Sequence, residues 1–177
     1  KPRLRETGER YRVPEADELP ARCDVVLAVV YLIFNEGYSA SAGDALIRRE
    51  LCGEAIRLVR ALAELLPGRA EIVGLLALML LHDSRRDARV DPRGLGVPLD
   101  EQDRARWDRG AIAAGLGLLD ALDERAAGPY ELQARISAEH VRAACFADTD
   151  WRRIVALYDR LLALSDSPVI ELNRAVA

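Results

Sequence analysis

GLLALMLLHDSRR, residues 74–86, decides the architecture of this chain. Continued back to Glu71, it reads as a helix that is apolar on nearly every side as far as His82. A helix with no polar face has to be surrounded by other helices, so this one is expected at the centre of a helical core. The run then passes abruptly into His82, Asp83, Arg85 and Arg86. VYLIFNEGY, residues 30–38, behaves the same way and ends in Asn35, Glu36 and Tyr38. Apolar helices that finish in clustered polar groups build either caps or binding sites.

Outward from these runs, Leu19 and Pro20 open a helix through about Glu36, and Gly37 is placed to supply a left-handed stop. Residues 39–43 read as a turn. From about Asp44 to Leu66, the residues Leu51, Ala55, Leu58, Leu62 and Leu65 recur on one stripe, which predicts an amphipathic helix ended by Pro67 and Gly68. DARVDPRGLGVPL, residues 87–99, predicts a loop or at most one small β-hairpin turning at Pro92 to Gly94. Asp100 or Asp103 can cap a further helix to about Leu122, with Trp107, Ile112, Leu116 and Leu119 inward, until Gly128 and Pro129 break it. Helices over 129–144 and 149–164 follow, and Ser167-Pro168 opens the last. The expected fold class is all-α, built of antiparallel helical hairpins.

A chain of 177 residues can bury roughly 70% of the surface of its unfolded form without disulfides or metals. Half the residues are hydrophobic, 31% are charged, and the net charge is only −4, which is ordinary for a folded cytoplasmic protein. The same mild negative charge argues against direct nucleic-acid binding, which needs a concentrated basic face. Cys23, Cys52 and Cys145 lack paired short spacings, so they read as buried free thiols of a reducing compartment. Neither a membrane-spanning run nor a signal peptide is recognisable. Lys1, Arg3, Arg5, Arg10 and Arg12 make the first thirteen residues an exposed basic linker, with one helical domain from residue 14 onward. The absence of an initial Met, and a helical pattern still running at Ala177, read as an excised piece.

The chain carries a repeat signal. Shifting it by 98 residues sets Ile56, Leu66, Ile72 and Ala77 against Ile154, Leu164, Ile170 and Ala175. Trp151, Ile154, Val155 and Tyr158 stand at the spacing of the first helix of a tetratricopeptide repeat, with Val155 in the usual glycine place. Hairpins with one apolar stripe per helix share a core by stacking and leave a concave surface for partners. Because such arrays need about three units, further repeats are expected after Ala177.

Catalytic and metal signatures are missing. His82 and His140 belong to no metal motif, Ser39, Ser41 and Ser84 lack an activating context, and GLGVP at Gly94 lacks the lysine of a phosphate loop. No cofactor, metal or enzymatic activity is expected. The chemistry is expected instead at a rim of Asn35, Glu36, Tyr38, His82, Arg85, Arg86, Asp103, Arg104, Trp107 and Asp108, brought together by antiparallel packing. Two readings of that rim are open. Glu36 or Asp108 could pair with Arg85 or Arg86 and lock the fold, since buried charges are costly unless paired. Alternatively, the arginines with Tyr38 or Trp107 line a pocket for an anionic ligand or a partner's acidic tail.

The two opening stretches, with QDRARWD (102–108) and TDWRRIVALYDRLLALSDSPVIELNRAVA (149–177), closely resemble the long C-terminal extension of one group of bacterial extracytoplasmic-function sigma factors. The resemblance runs from about Arg12 to the end. It implies a tetratricopeptide-like regulatory domain tethered by residues 1–13 to a promoter-reading helix-turn-helix domain. It also implies a cytoplasmic parent protein that acts in transcription initiation with RNA polymerase and promoter DNA. The extension itself would contact the sigma core domains, a regulatory protein or a small-molecule signal, in place of a separate anti-sigma factor. A ligand-binding helical domain recognising a small anion and a generic repeat scaffold are the alternatives.

Overall fold

The computed structural model describes residue 15 and residues 18–39 and 47–177. The basic linker at 1–13 and most of the turn at 39–43 lie outside them. The described residues form seven α-helices: α1 (Leu19–Tyr38), α2 (Arg49–Leu65), α3 (Ala70–Asp83), α4 (Arg109–Asp120), α5 (Pro129–Arg142), α6 (Trp151–Leu164) and α7 (Pro168–Val176). They pair as antiparallel hairpins α1–α2, α3–α4 and α5–α6, and α7 folds back on α6. No strand is present among the described residues. Among the described residues the sole β pairing is a single antiparallel bridge between Val90 and Gly96, which closes a turn around Gly94 at φ +83°.

Helix α3 holds the centre, as its all-round apolar sequence predicts. Ile72 and every residue from Leu75 to Leu81 are at most 6% exposed, walled in by α1, α2, α4 and α5. Each buried leucine there contributes about 1.5–3 kcal/mol of transfer free energy. A second cluster, Leu132, Ile136, Ile154, Leu157 and Leu161, joins α5 to α6. Shifted by 98 positions, the first residue of α3 falls on Pro168, where α7 begins, whereas the first residue of α2 falls on Ala147, four residues before α6.

Several local expectations are corrected. Gly37 has no positive φ; it lies within α1, where a Cβ would stand 2.7 Å from the Cys52 nitrogen and 2.8 Å from its sulfur. Its role is therefore the close crossing of α1 and α2. Gly68, at φ +81°, does supply the left-handed stop after α2. Helix α2 begins at Arg49, because the Arg48 N–H is drawn to the Gly37 carbonyl at 2.7 Å. Its buried stripe is Cys52, Ala55, Ile56 and Val59, which leaves Leu65 three-quarters exposed. Asp103 caps only a short turn, Arg104–Arg106, and the cap of α4 is Asp108, whose carboxylate accepts from the Ala111 N–H at 3.0 Å. Trp107 thus precedes α4, yet it is buried. Cys145 is exposed, unlike Cys23 and Cys52.

Two further devices seat α5. Its N-terminus starts with Gly128-Pro129 and has no capping side chain of its own. Glu71 of α3 fills that role, accepting from the Tyr130 N–H at 3.0 Å and the Glu131 N–H at 3.4 Å, and a Cβ on Gly128 would overlap its carboxylate. Gly74 lets α3 and α5 touch, since a Cβ there would meet the Glu131 backbone nitrogen at 2.8 Å.

Candidate functional site

The polar ends of α1, α3 and α5 converge at one edge of the array. Residue Tyr38, the last of α1, stacks on the His82 ring at 5.2 Å and on Phe34 at 5.7 Å. Arg85 donates to the Tyr38 hydroxyl at 3.2 Å. Arg89 lies over the Tyr38 ring, 3.4 Å from its centroid, and donates to the Tyr38 carbonyl. Arg104 donates to the carbonyls of His140 and Ala143 at 2.7 and 2.9 Å and stacks over Trp107 at 4.4 Å. The guanidinium groups of Arg89 and Arg104 therefore sit against the carbonyl-rich C-terminal ends of helices, where positive charge is favoured.

The locking ion pairs expected from the sequence are not the ones formed. Glu36 lies 3.6 Å from Arg48, Asp108 is spent on its cap, and Arg86 takes Asp83 at 3.2 Å. Arg85 has no carboxylate partner among the described residues, although it is only 9% exposed. Tyr38, His82, Arg85, Arg104 and Trp107 are thus brought together at this edge. Asp103 and Asp108 are structural caps, and Asn35 ends α1 by accepting the Ser39 N–H through its carbonyl.

Electrostatics follow from this crowding of cations. Burial first, then the charges of Arg85, Arg89 and His140, push the pKa of His82 down to about 3. Burial, Arg85 and Arg104 bring His140 down to about 4. Both imidazoles are neutral at pH 7. Burial also holds the Arg89 and Arg104 guanidiniums below their ordinary values, and it raises the carboxyl of Asp83.

Arg89 was not among the residues singled out from sequence, and His140 was considered there only as a metal ligand. Arg89 sits in the loop after α3 and meets Tyr38 at the end of α1, and His140, 58 residues beyond His82, is brought near by the α3–α5 contact. Equally hidden was a knot under α6: Glu124 accepts from Arg153 and from Arg160 at 3.1 Å, and lies 3.6 Å from Arg135. Burial opposes the Glu124 charge, but the Arg153 hydrogen bond and the three guanidiniums together hold its carboxyl below the usual range.

Beside the rim runs a groove of about 290 Å³, lined by Tyr31, Leu78, His82, Ile136, Tyr158, Ile170 and Asn173 among others. Its walls are apolar with a few polar groups. Among the described residues, no three His, Cys, Asp or Glu side chains gather as a metal site would require, and no helix is long and apolar enough to cross a membrane.

Comparison with known proteins gives the lineage. An uncharacterized protein of Rhizobium meliloti (strain 1021) is 45% identical over 178 residues, which covers all of this chain and 42% of that protein. The chain thus spans less than half the length of the relative it matches. No solved structure matches. The model of a family of unknown function, DUF6596, matches residues 22–122, the span from α1 through α4 that builds most of the rim. The chain is a member of the DUF6596 family.

Proposed function

We propose that this chain is the regulatory, protein-docking extension of an extracytoplasmic-function sigma factor, working by contact and without catalysis. The observation that carries the reading is the double apolarity of α1. One face buries Cys23, Leu27, Val30 and Phe34 in the core. The opposite face exposes Val25 at 64%, Val29 at 51% and Leu32 at 66%, with Val26 beside them at 42%. An apolar helical stripe left in water marks a surface that a partner covers. The sigma core domains are that partner in this reading, since the basic stretch at 1–13 would tether them next to α1. The sequence resemblance to sigma-factor extensions supports the same assignment, and the greater length of the Rhizobium relative leaves room for such domains.

In this reading, promoter recognition and RNA polymerase contact belong to the missing sigma domains, and the parent works in the cytoplasm. The extension holds them in an active or inactive arrangement. Any signal must therefore bind one arrangement better than the other. The test uses the full-length parent protein. It should co-purify with RNA polymerase, and a triple change of Val25, Val29 and Leu32 to glutamate should alter its promoter-specific transcript yield severalfold. Unaltered transcription by that variant, or failure of the parent to retain the polymerase, would refute the assignment.

A further inference from the structure

The rim concentrates buried hydrogen-bond donors that meet no acceptor. Arg85 Nε, Arg104 Nη2 and Trp107 Nε1 are shielded from solvent and unpartnered, as is His140 Nδ1. Burying such groups is costly unless something accepts from them. The other buried arginine offers an internal comparison. Arg135 is matched by Glu131 at 2.6 Å and by Glu124 at 3.6 Å. For Arg85, Arg89 and Arg104 the described residues supply no carboxylate at all, only the Tyr38 hydroxyl and ring, the Trp107 ring and main-chain carbonyls.

The charge does not balance. Three helix C-termini meet here, those of α1, α3 and α5, and each carries roughly half a negative charge. Together they offset about one and a half of the three guanidinium charges, and the Asp148 carboxylate acts on Arg104 without forming an ion pair with it, so some positive charge is left over in a partly buried site. Burial first, and these cations second, keep His82 and His140 neutral.

We propose that Arg85 and Arg104, with the Trp107 and His140 ring nitrogens, form a binding site for a doubly charged oxyanion, either free phosphate or a phosphate monoester. Planar guanidinium forks suit such oxygens better than any other side chain. The neutral rings add donors without adding charge. The site is independent of the docking surface on α1.

The experiment is thermal unfolding and calorimetric titration of this chain with sodium phosphate and with glycerol phosphate, sodium chloride keeping the ionic strength constant. At a hundredfold excess over Kd the melting midpoint should rise by roughly 5–10 °C. A response to both ligands assigns the phosphate group itself; a response to glycerol phosphate alone assigns a monoester. Arg85→Gln and Arg104→Gln should each weaken binding at least tenfold. In phosphate-free buffer, Arg85→Gln should melt no lower than the unaltered chain, because it removes an unpaired buried charge. No shift beyond that of chloride would overturn the proposal. So would a phosphate response that both variants retain, which would make these arginines helix caps only.

Discussion

Replacing Arg135 by leucine tests the packing argument most sharply. This side chain ties together α4, α5 and the turn between them. It donates to Glu131 at 2.8 and 2.6 Å, to the Leu119 carbonyl at 3.2 Å and to the Leu122 carbonyl at 3.4 Å. Leucine keeps the apolar stem but strands the Glu131 carboxylate, which is 1% exposed and already has one oxygen without a partner. Removing one member of a buried pair costs about 3–5 kcal/mol, and the last carbonyls of α4 lose their donor as well. For a domain of this size that corresponds to a melting point lower by roughly 6–20 °C. Urea unfolding followed by far-UV circular dichroism should show the midpoint falling at constant slope. The double change Glu131→Leu with Arg135→Leu should recover most of the loss, because two well-packed apolar groups dispense with the desolvated charges. A loss under about 1 kcal/mol for the single change, or a double variant as unstable as the single one, would refute the reasoning.

Three other outcomes are expected. Gly74→Ala should cost about 1–3 kcal/mol by forcing α3 off the α5 backbone, whereas Gly53→Ala, with nothing within 4 Å of the new methyl, should stabilise α2 by about 0.5–1 kcal/mol; paired urea titrations decide both. The depressed pKa of His82 makes stability depend on pH: above the unfolded value of about 6.5 both states are neutral, and below it the unfolded chain takes the proton first, so stability falls from there toward pH 3. For His82 that amounts to about 2–3 kcal/mol between pH 7 and 4.5. Glu71 and Asp83, raised by burial, act in the opposite direction. The His82→Asn difference is therefore the measure, and the variant should lose less stability on acidification. Finally, an aromatic disulfide reagent should modify Cys145 promptly in the native protein, while Cys23 and Cys52 stay silent until unfolding; the Cys52 thiol is both buried and pushed up to about 11.

How much of this was legible in the sequence can be argued from particular residues. The core position of α3 was, because seven apolar residues in a row leave no face for water. Pro67-Gly68, Gly128-Pro129 and Ser167-Pro168 punctuated the helices, since their backbone restrictions are local. The start of α4 was misplaced: Asp100, Asp103 and Asp108 are all competent caps, and what selects Asp108 is the docking of its own N–H on the Ser84 carbonyl at 2.8 Å. Gly37 was misread for a similar reason, as its partner Cys52 lies fifteen residues away across a turn.

Of the candidate site, the residue types and the helix ends that carry them were visible, but not the pairings. Arg86 found Asp83 on its own helix end, Glu36 found Arg48, and Arg85 was left to a tyrosine hydroxyl. Sequence alone determined that these helices exist, which stripe each one hides and where polar groups crowd their ends, because periodicity and capping are settled within a few residues. Tertiary structure alone decided which cations meet a carboxylate and which do not, because that depends on how closely Gly37, Gly74 and Gly115 let the helices approach. A charge two turns out of reach in the sequence can be neutralised in space, and one flanked by an acid in sequence can be left without it.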